Sequence, residues 1–339
     1  MERIEWRHAS DEIIDEMTAF SNRWREESRP GDPPLTAEYM RQAARTMPSN
    51  AHSIFHIVRD PARQIIATAE FEFEVAEENQ HLGDGGVTVL KEHRGHGIGK
   101  QLLAKLLEEA DLAKRSRIIG WTTELVPAGQ AFAERVGAEP GLREHTNRLM
   151  LSEVDRDLIA GWIDEGPSRA PGYSLVWNEG PYGDLAERMV PLIELMNTAP
   201  REDLDIEDFK VTMPEMQERE AQMVAVKTER WSVIVRHDAK DEFVGFSEIG
   251  YSQIQPQTAY QWGTAVDPKH RGHALGKWMK AAMIDKILKQ RPDTIDIRTG
   301  NADSNDAMLG INTQLGFKPW RANIIWQTTA DQIRNYLGT

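Results

Sequence analysis

Two short segments of the chain combine basic side chains with glycines and lead into apolar, helix-like sequence. The first reads Lys91-Glu-His-Arg-Gly-His-Gly-Ile-Gly-Lys100, and the second reads Lys269-His-Arg-Gly-His-Ala-Leu-Gly-Lys277. Glycine lets a backbone approach a ligand closely, and the first turn of a helix offers unpaired N–H groups with a partial positive charge. A strand–loop–helix junction of this composition favours the binding of phosphate or pyrophosphate.

Two well-known phosphate-binding loops do not match these segments. Neither segment has the Gly-Lys-Ser/Thr ending of a Walker loop, and the Arg-x-x-Gly-x-Gly spacing differs from that of a dinucleotide fingerprint. The formal net charge of −14 argues against general nucleic-acid binding, which needs a surplus of Lys and Arg. The absence of cysteine excludes disulfides, thiolate metal sites and a cysteine nucleophile.

The two segments belong to an internal repeat. Val87–Lys100 aligns with Thr264–Lys277, and the strand-like stretches before them match as well. A repeat with a period this long indicates a duplicated domain and not a solenoid. Each half is predicted to run strand, helices, three strands, helix, strand, helix and final strand, which is an α+β order. Asp164–Gly172, with two prolines and two glycines, is predicted as the linker, so the domains are expected at residues 1–165 and 166–339.

The spacing (Gln/Arg)-x-x-Gly-x-(Gly/Ala) between a strand and a helix resembles the signature of the GNAT superfamily of N-acetyltransferases. Arg94, Gly97 and Gly99 match it fully, whereas Ala274 stands where the second loop would have its middle glycine. Its added methyl group is tolerable if the backbone dihedral of Ala274 stays ordinary. The resemblance implies two tandem GNAT-like domains, each a mixed, mostly antiparallel sheet flanked by helices. It also implies acetyl-CoA as co-substrate and no metal.

In the family, loop amides hold the pyrophosphate of acetyl-CoA, and the strand before the loop supplies an N–H for the oxyanion. The resemblance therefore implies these cofactor-binding residues: Val89, Arg94, Gly95, His96, Gly97, Ile98, Gly99 and Lys100 in the first half, and Val266, Arg271, Gly272, His273, Ala274, Leu275, Gly276 and Lys277 in the second.

A second family feature occurs only in the C-terminal half. Asn305 precedes a helical segment that ends in Leu315-Gly-Phe317, and the resemblance implies that Asn305 contacts the pantetheine or phosphate arm of CoA. Helix capping is an alternative role for Ser304 or Asn305. The first half has Pro127 at this place and no asparagine. The C-terminal domain is therefore predicted to be catalytic, and the N-terminal domain to be a degenerate partner or a second CoA site.

Amine acetylation needs a base, because an alkylamine with a pKa of ~10 arrives protonated. Glu248, in an otherwise apolar strand, is the predicted base, and Glu70 is its counterpart; an exposed strand position is the alternative for both. Asn312 and Ala133 stand where the family often has a tyrosine that protonates the leaving thiolate. Tyr251, Tyr260, Ser304 or water are the candidates that remain, and Tyr251 and Ser304 are placed in the predicted catalytic set.

An acidic run in the second half, Glu202–Asp208, is either a receptor for a cationic amine or a solvated loop. The predicted function is acetyl transfer to a primary amine of a small molecule through a ternary complex. The alternatives are a non-catalytic acyl-CoA-binding or interaction module and an acetyltransferase of protein amines. We expect no nucleic-acid or membrane partner, a monomer or homodimer, and a cytoplasmic location.

Overall fold

The computed structural model describes the whole chain, Met1–Thr339. Its strands are β1 Glu2–Glu5, β2 Ala51–Arg59, β3 Ile65–Glu74, β4 Leu82–Val89, β5 Arg117–Thr123, β6 Glu139–Met150, β7 Tyr173–Glu179, β8 Thr228–His237, β9 Glu242–Ser252, β10 Thr258–Val266, β11 Asp296–Ala302 and β12 Lys318–Thr329. Its helices are α1 Asp11–Ser28, α2 Ala37–Arg45, α3 Ile98–Leu112, α4 Pro127–Val136, α5 Arg156–Arg169, α6 Ala186–Ile193, α7 Met213–Ala225, α8 Leu275–Gln290, α9 Asp306–Gln314 and α10 Ala330–Leu337. The predicted α+β order is confirmed in both halves.

The chain forms two compact units, which we call unit 1 and unit 2. Unit 1 contains residues 1–143, 201–208 and 322–339, and unit 2 contains residues 144–200 and 209–321. The sequence-based division at residues 165 and 166 follows the chain from end to end, whereas these units are discontinuous. The reason is that each unit takes its last strand from the far side of that boundary.

The sheets of the two units have the same construction. In unit 1 the strand order is β1-β2-β3-β4-β5-β12, and in unit 2 it is β7-β8-β9-β10-β11-β6. Neighbours are antiparallel except for β4 with β5 and β10 with β11, which are parallel. The single parallel pair in each sheet is the place where the strand–helix–strand crossover of the predicted order returns to the sheet.

Apolar side chains on alternate positions of the strands build a core on each sheet face. In unit 1, Phe71 of β3 packs with Leu102, Leu103 and Leu106 of α3 on one face, whereas Phe55 of β2 packs with α1 and α2 on the other. Unit 2 repeats this arrangement, with α5, α8 and α9 on one face and α6 and α7 on the other. The helical spacing of leucines after the first loop is thus confirmed as a core stripe.

The stretch predicted as a linker, Asp164–Gly172, is mostly helical, because α5 extends to Arg169 and accommodates Pro167 in its last turns. Gly166 is present for a packing reason: a Cβ there would lie 2.5 Å from the indole of Trp278 on α8. The prediction of a linker was wrong because glycine and proline served helix packing here. None of the helices is both long and apolar enough to cross a lipid bilayer.

Candidate functional site

The helices that follow the two basic loops begin without a side-chain cap. Six other helices, α1, α2, α5, α7, α9 and α10, have a Ser, Thr, Asp or Asn that accepts a hydrogen bond from the first turn. At α3 and α8 the N-cap positions are Gly97 and Ala274, which cannot do so. The amide groups of these two first turns therefore stay available to an anion, as a pyrophosphate cradle requires.

Both loops bend through the left-handed region of backbone conformation. Gly95 and Gly97 have φ values of 81° and 79°, and Gly272 has 89°. Ala274 has a φ of 57°, so the condition of an ordinary dihedral is not met. The loop geometry is the same in the two units. Ala274 adopts it although the left-handed conformation costs an alanine roughly 1–2 kcal/mol.

The arginines of both loops point back to the preceding strand. Arg94 Nε–H donates to the carbonyl oxygen of Val89 (2.9 Å), and Arg271 Nε–H donates to that of Val266 (3.0 Å). Arg94 also makes a two-pronged ion pair with Glu27 (2.9 and 2.6 Å), whereas Arg271 reaches only the Thr198 hydroxyl (3.2 Å). These side chains brace the loops, a role that sequence spacing did not separate from phosphate contact.

The remaining predicted cradle residues divide by exposure. Gly95, His96, Gly272 and His273 are exposed on the loops. Ile98 and Leu275 turn towards the cores as the first helical residues. Lys100 lies over the ring of Tyr336, and Lys277 lies over that of Trp162 while it donates to Gln314 (2.8 Å). The backbone groups of the loops, more than these side chains, form the accessible surface.

In each unit the parallel strands separate before the loop begins. The pairing of β4 with β5 covers only Leu82–Asp84, and that of β10 with β11 covers only Thr258–Tyr260. Beyond these residues β4 and β10 continue to Val89 and Val266 without a partner on that side. The resulting gap leads from the loop to the middle of the sheet and leaves backbone N–H groups available for an extended ligand or an oxyanion.

The two gaps differ in one respect. In β10 the register against β9 shifts between Gln261 and Thr264, so that one extra residue forms a β-bulge at Trp262 and Gly263. In β4 the register against β3 is regular from Ala67↔Val89 to Glu72↔Asp84. Bulges re-aim strand groups and are frequent next to active sites. Only unit 2 has this irregularity at the gap.

Glu248 lies on β9 of unit 2, on the face covered by α6 and α7, and it is only 8% exposed. Its Oε1 accepts hydrogen bonds from the Tyr182 hydroxyl and the Ser232 hydroxyl (2.8 Å), and Arg230 Nε lies 3.5 Å away. Burial and the negative charge of Glu248 raise the pKa of Tyr182 above its usual range, so Tyr182 stays a donor. All three partners contact Oε1, which leaves Oε2 without a partner in the protein.

The other predicted catalytic residues are not brought to Glu248. Tyr251 lies an odd number of residues further along β9, so it faces the opposite side of the sheet, where its ring stacks with Arg291 (4.6 Å). Ser304 is exposed before α9. Asn305 caps α9 by accepting a hydrogen bond from the N–H of Met308 (3.3 Å). Asn312 is buried and donates to Asn301 (2.8 Å).

Unit 1 has a different set of polar groups at the corresponding place. Glu70 pairs across β2 with Phe55, so it faces α1 and α2, and the next residue on this face, Glu72, lies between Ser53 and Asp84. Desolvation raises the pKa of Glu70 to about 8, helped by the charge of Glu72 and a hydrogen bond to it. Desolvation, together with the charges of Glu72 and Glu74, raises the pKa of Asp84 to about 6.

The acidic run lies elsewhere than expected. Residues 201–208 belong to unit 1, where Asp205 forms an ion pair with Arg117 (2.8 Å) and Glu207 accepts from the N–H of Asn79 (2.6 Å). These carboxylates are therefore used in holding the segment in unit 1. The prediction assigned the run to the acceptor region of the second half because it followed the order of the chain.

Comparison with known proteins agrees with this geometry. The model of the acetyltransferase (GNAT) family matches residues 17–138 and 192–317. The chain belongs to the GNAT family. A search of curated proteins finds no match.

Several solved structures share the fold. A tandem GNAT protein from the clavulanic acid biosynthesis pathway aligns with a TM-score of 0.77 at 22% identity, over 97% of this chain and 98% of that one. A GCN5-related N-acetyltransferase from Sphaerobacter thermophilus aligns with a TM-score of 0.63 at 11% identity, over 97% and 96%. The predicted tandem GNAT architecture is thereby confirmed, and the family supports acyl-CoA-dependent acetyl transfer in general.

Sequence reasoning missed four residues at or near these sites. Tyr182 and Arg230 complete the surroundings of Glu248, Asp84 joins the acidic face of unit 1, and Lys280 is buried in the core of α8 without an ion pair. Burial lowers the pKa of Lys280 to about 7. Lys280 had a signal in the sequence, because it occupies the position of Leu103 in the repeat. The others come from elements that only the fold brings together.

Proposed function

We propose that the chain is an acetyl-CoA-dependent N-acetyltransferase that acetylates a primary amine of a small molecule by direct transfer in a ternary complex, with unit 2 as the catalytic unit. The observation that carries this proposal is Glu248: a buried carboxylate whose Oε1 is fixed by two hydroxyls while its Oε2 has no partner. It lies on the strand next to the bulge of β10. A fixed carboxylate with one available oxygen suits general-base work.

The proposed reaction uses groups of unit 2 in sequence. Glu248 Oε2 takes a proton from the ammonium group, directly or through one water. The nitrogen then forms a bond with the thioester carbonyl carbon, and a backbone N–H near Val266 stabilises the oxyanion. The C–S bond breaks, and the thiolate takes up the second proton that the nitrogen loses as the amide forms.

Unit 2 is favoured over unit 1 for two reasons. The bulge at Trp262 and Gly263 is present only in unit 2, and Asn305 starts α9 only there. The cradle of α8 supplies the uncapped amides for the pyrophosphate of acetyl-CoA.

The proposal is tested by thiol release from acetyl-CoA with a panel of small amines, followed by mass determination of the product. For Glu248→Gln we expect kcat to fall about 100-fold with an unchanged Kd for acetyl-CoA, in line with the usual contribution of a general base. Glu242→Gln is the matched control, because it removes an exposed carboxylate from the same strand. Its kcat should equal that of the parent protein.

Three outcomes would contradict the proposal. Tight acetyl-CoA binding without thiol release from any amine would make the chain a non-catalytic acyl-CoA-binding module. Turnover only with peptide amines would make it an acetyltransferase of proteins. Full activity of Glu248→Gln would exclude Glu248 as the base.

A further inference from the structure

Unit 1 presents a group of carboxylates on the sheet face that corresponds to the Glu248 face of unit 2. Glu70 and Glu72 lie on alternate positions of β3, Asp84 is directly opposite Glu72 on β4, and Ser53 is opposite it on β2. Residues paired across antiparallel strands point to the same side, with Cβ atoms about 5 Å apart. The four side chains therefore form one patch, which we call the acidic patch.

The acidic patch has no cation of its own. Glu70, Glu72 and Asp84 take part in none of the ion pairs of unit 1, and the groups that perturb Glu70 and Asp84 are all carboxylates. Desolvation and the negative charge of Glu72 raise the pKa of Glu70 to about 8, so Glu70 holds a proton at neutral pH. Three adjacent carboxylates without a positive partner repel one another and favour an external cation.

A second observation also points to a ligand. Ser53 is only 2% exposed, and its Oγ has no hydrogen-bond partner. A buried hydroxyl without a partner costs free energy, and such groups in native proteins are usually satisfied. Ser53 is paired with Glu72 in the register, so its buried hydroxyl is on the same side of the sheet as the acidic patch.

In unit 2 the carboxylate at the equivalent place, Glu248, lies against an arginine of the protein itself. There the residue that corresponds to Ser53 is Arg230, as judged from its register opposite Gly250, two residues after Glu248. Arg230 lies against Glu248 and also pairs with Glu220. The cation that unit 2 contains within the protein is missing from unit 1, and a cationic ligand would take its place.

We propose that unit 1 holds a second acceptor site, in which the acidic patch binds an aliphatic diamine or polyamine. Two positive charges match the carboxylates of Glu72 and Asp84 while Glu70 holds its proton. An ammonium group has three N–H donors, enough for two carboxylates and the Ser53 hydroxyl. The uncapped start of α3 provides the cradle for acetyl-CoA in the same unit.

The transfer in unit 1 would balance as in unit 2. The carboxylate of Glu70 takes one proton from the ammonium group, the nitrogen bonds to the acetyl carbon, and the C–S bond breaks. The thiolate takes the second proton from nitrogen through solvent. This use of the site rests on the proposed function, whereas the binding of the diamine does not.

The binding test is calorimetric titration of the full chain with 1,4-diaminobutane, beside 4-aminobutan-1-ol and 4-aminobutanoate as ligands with a neutral and an anionic end. We expect the diamine to bind at least 10-fold more tightly than either. The double variant Glu72→Gln/Asp84→Asn should lose at least 10-fold in diamine affinity. Glu139→Gln, which removes an exposed carboxylate outside the patch, is the control and should leave the affinity unchanged.

The same titration, repeated in buffers of different ionisation enthalpy, measures whether Glu70 releases a proton when the diamine binds. At pH 7 the arriving cation should release part of a proton from Glu70, and Glu70→Gln should abolish that release. Ser53→Ala should weaken diamine binding a few-fold without changing proton release. Equal affinity of the parent protein and the double variant, or binding of the diamine without proton release, would overturn the proposal.

Turnover separates this inference from the function proposed for unit 2. Diamine acetylation that persists in Glu248→Gln and is lost in Glu70→Gln supports a second acceptor site. Diamine acetylation that is lost in Glu248→Gln and unchanged in Glu70→Gln overturns it and leaves the function of unit 2 intact. If no amine is acetylated but the diamine still binds through Glu72 and Asp84, the proposed function fails and the binding site stands.

Discussion

Unit 1 and unit 2 have the same strand order and the same uncapped loop–helix junction, yet they differ in how each treats the carboxylate at the middle of its sheet. Glu248 of unit 2 is fixed by Tyr182, Ser232 and Arg230. Glu70 of unit 1 is surrounded by further carboxylates and has a raised pKa. The common fold thus supplies an uncapped loop–helix junction twice, while the polar residues on one sheet face differ between the units.

The two units also differ in their cores, at the position held by Leu103 in α3 and Lys280 in α8. Both side chains are buried, but Lys280 has no ion pair and burial lowers its pKa from 10.5 to about 7. We expect Lys280→Met to stabilise the chain by about 3–5 kcal/mol at pH 7, since each pKa unit corresponds to 1.36 kcal/mol.

The pH dependence of the free energy of unfolding gives a more specific test of Lys280. Between about pH 7 and 10.5 the unfolded lysine binds more protons than the folded one, so stability should rise with pH across this window. Urea unfolding at pH 7 and pH 9 measures the rise, which Lys280→Met should remove. Leu103→Lys should create the same dependence in unit 1. A flat profile for the parent protein would show that Lys280 is charged and solvated in the folded state.

Replacing the two loop arginines by alanine should weaken acetyl-CoA binding to different extents. Arg94 has a two-pronged partner in Glu27, whereas Arg271 is braced only by Val266 and Thr198. Because charge-assisted bonds are worth about 1.5–3 kcal/mol, we expect Arg94→Ala to weaken acetyl-CoA binding in unit 1 about 30-fold. Arg271→Ala should weaken it in unit 2 about 10-fold. Calorimetric titration with acetyl-CoA, resolved into two classes of site, makes the comparison.

Replacing either loop arginine by lysine distinguishes the effect of its hydrogen bond to the strand carbonyl from the effect of its positive charge. Arg94→Lys and Arg271→Lys keep the positive charge but lose the Nε–H bond to the strand carbonyl. If the lysine variants bind acetyl-CoA like the parent protein, the arginines act as charges and the bracing role is excluded.

The smallest expected difference concerns the N-caps of α3 and α8. Ala274→Gly should stabilise unit 2 by about 1 kcal/mol, because glycine adopts a positive φ without a steric cost. Gly97→Ala should destabilise unit 1 by a similar amount. Thermal unfolding measures both, and a loss of stability in Ala274→Gly would mean that the alanine methyl group contributes packing that outweighs its backbone strain.

The sequence predicted the parts of the fold that local patterns encode. The order of elements, both basic loops and the leucine stripe of α3 follow from spacing, and Glu248 was identified from its position in an apolar strand. The bracing role of Arg94 was not predicted, because a spacing does not say which way a side chain turns. The positive φ of Ala274 was not predicted, since the repeated loop geometry prevailed over residue preference.

Long-range pairing explains the other differences. Tyr182 reaches Glu248 from an element that is far from it in the chain, and Arg230 reaches it from β8, the strand before β9. No periodicity marks either residue. Tyr251 was expected near Glu248, but an odd spacing on β9 places it on the opposite face. The acidic run, which was expected in the second half, lies in unit 1 because strand and loop partners are chosen by the tertiary fold.

Each unit takes its last strand from the other side of residue 165, and this has a consequence for folding during translation. Unit 1 needs β12, whose Asn323 pairs with Thr123 of β5, so its sheet cannot be completed until β12 has left the ribosome. At ~5–20 residues per second, β5 stays an open sheet edge for roughly 10–40 s. A nascent chain stopped at residue 165 would expose that edge, and only a chain that has been translated through β12 can close the sheet of unit 1.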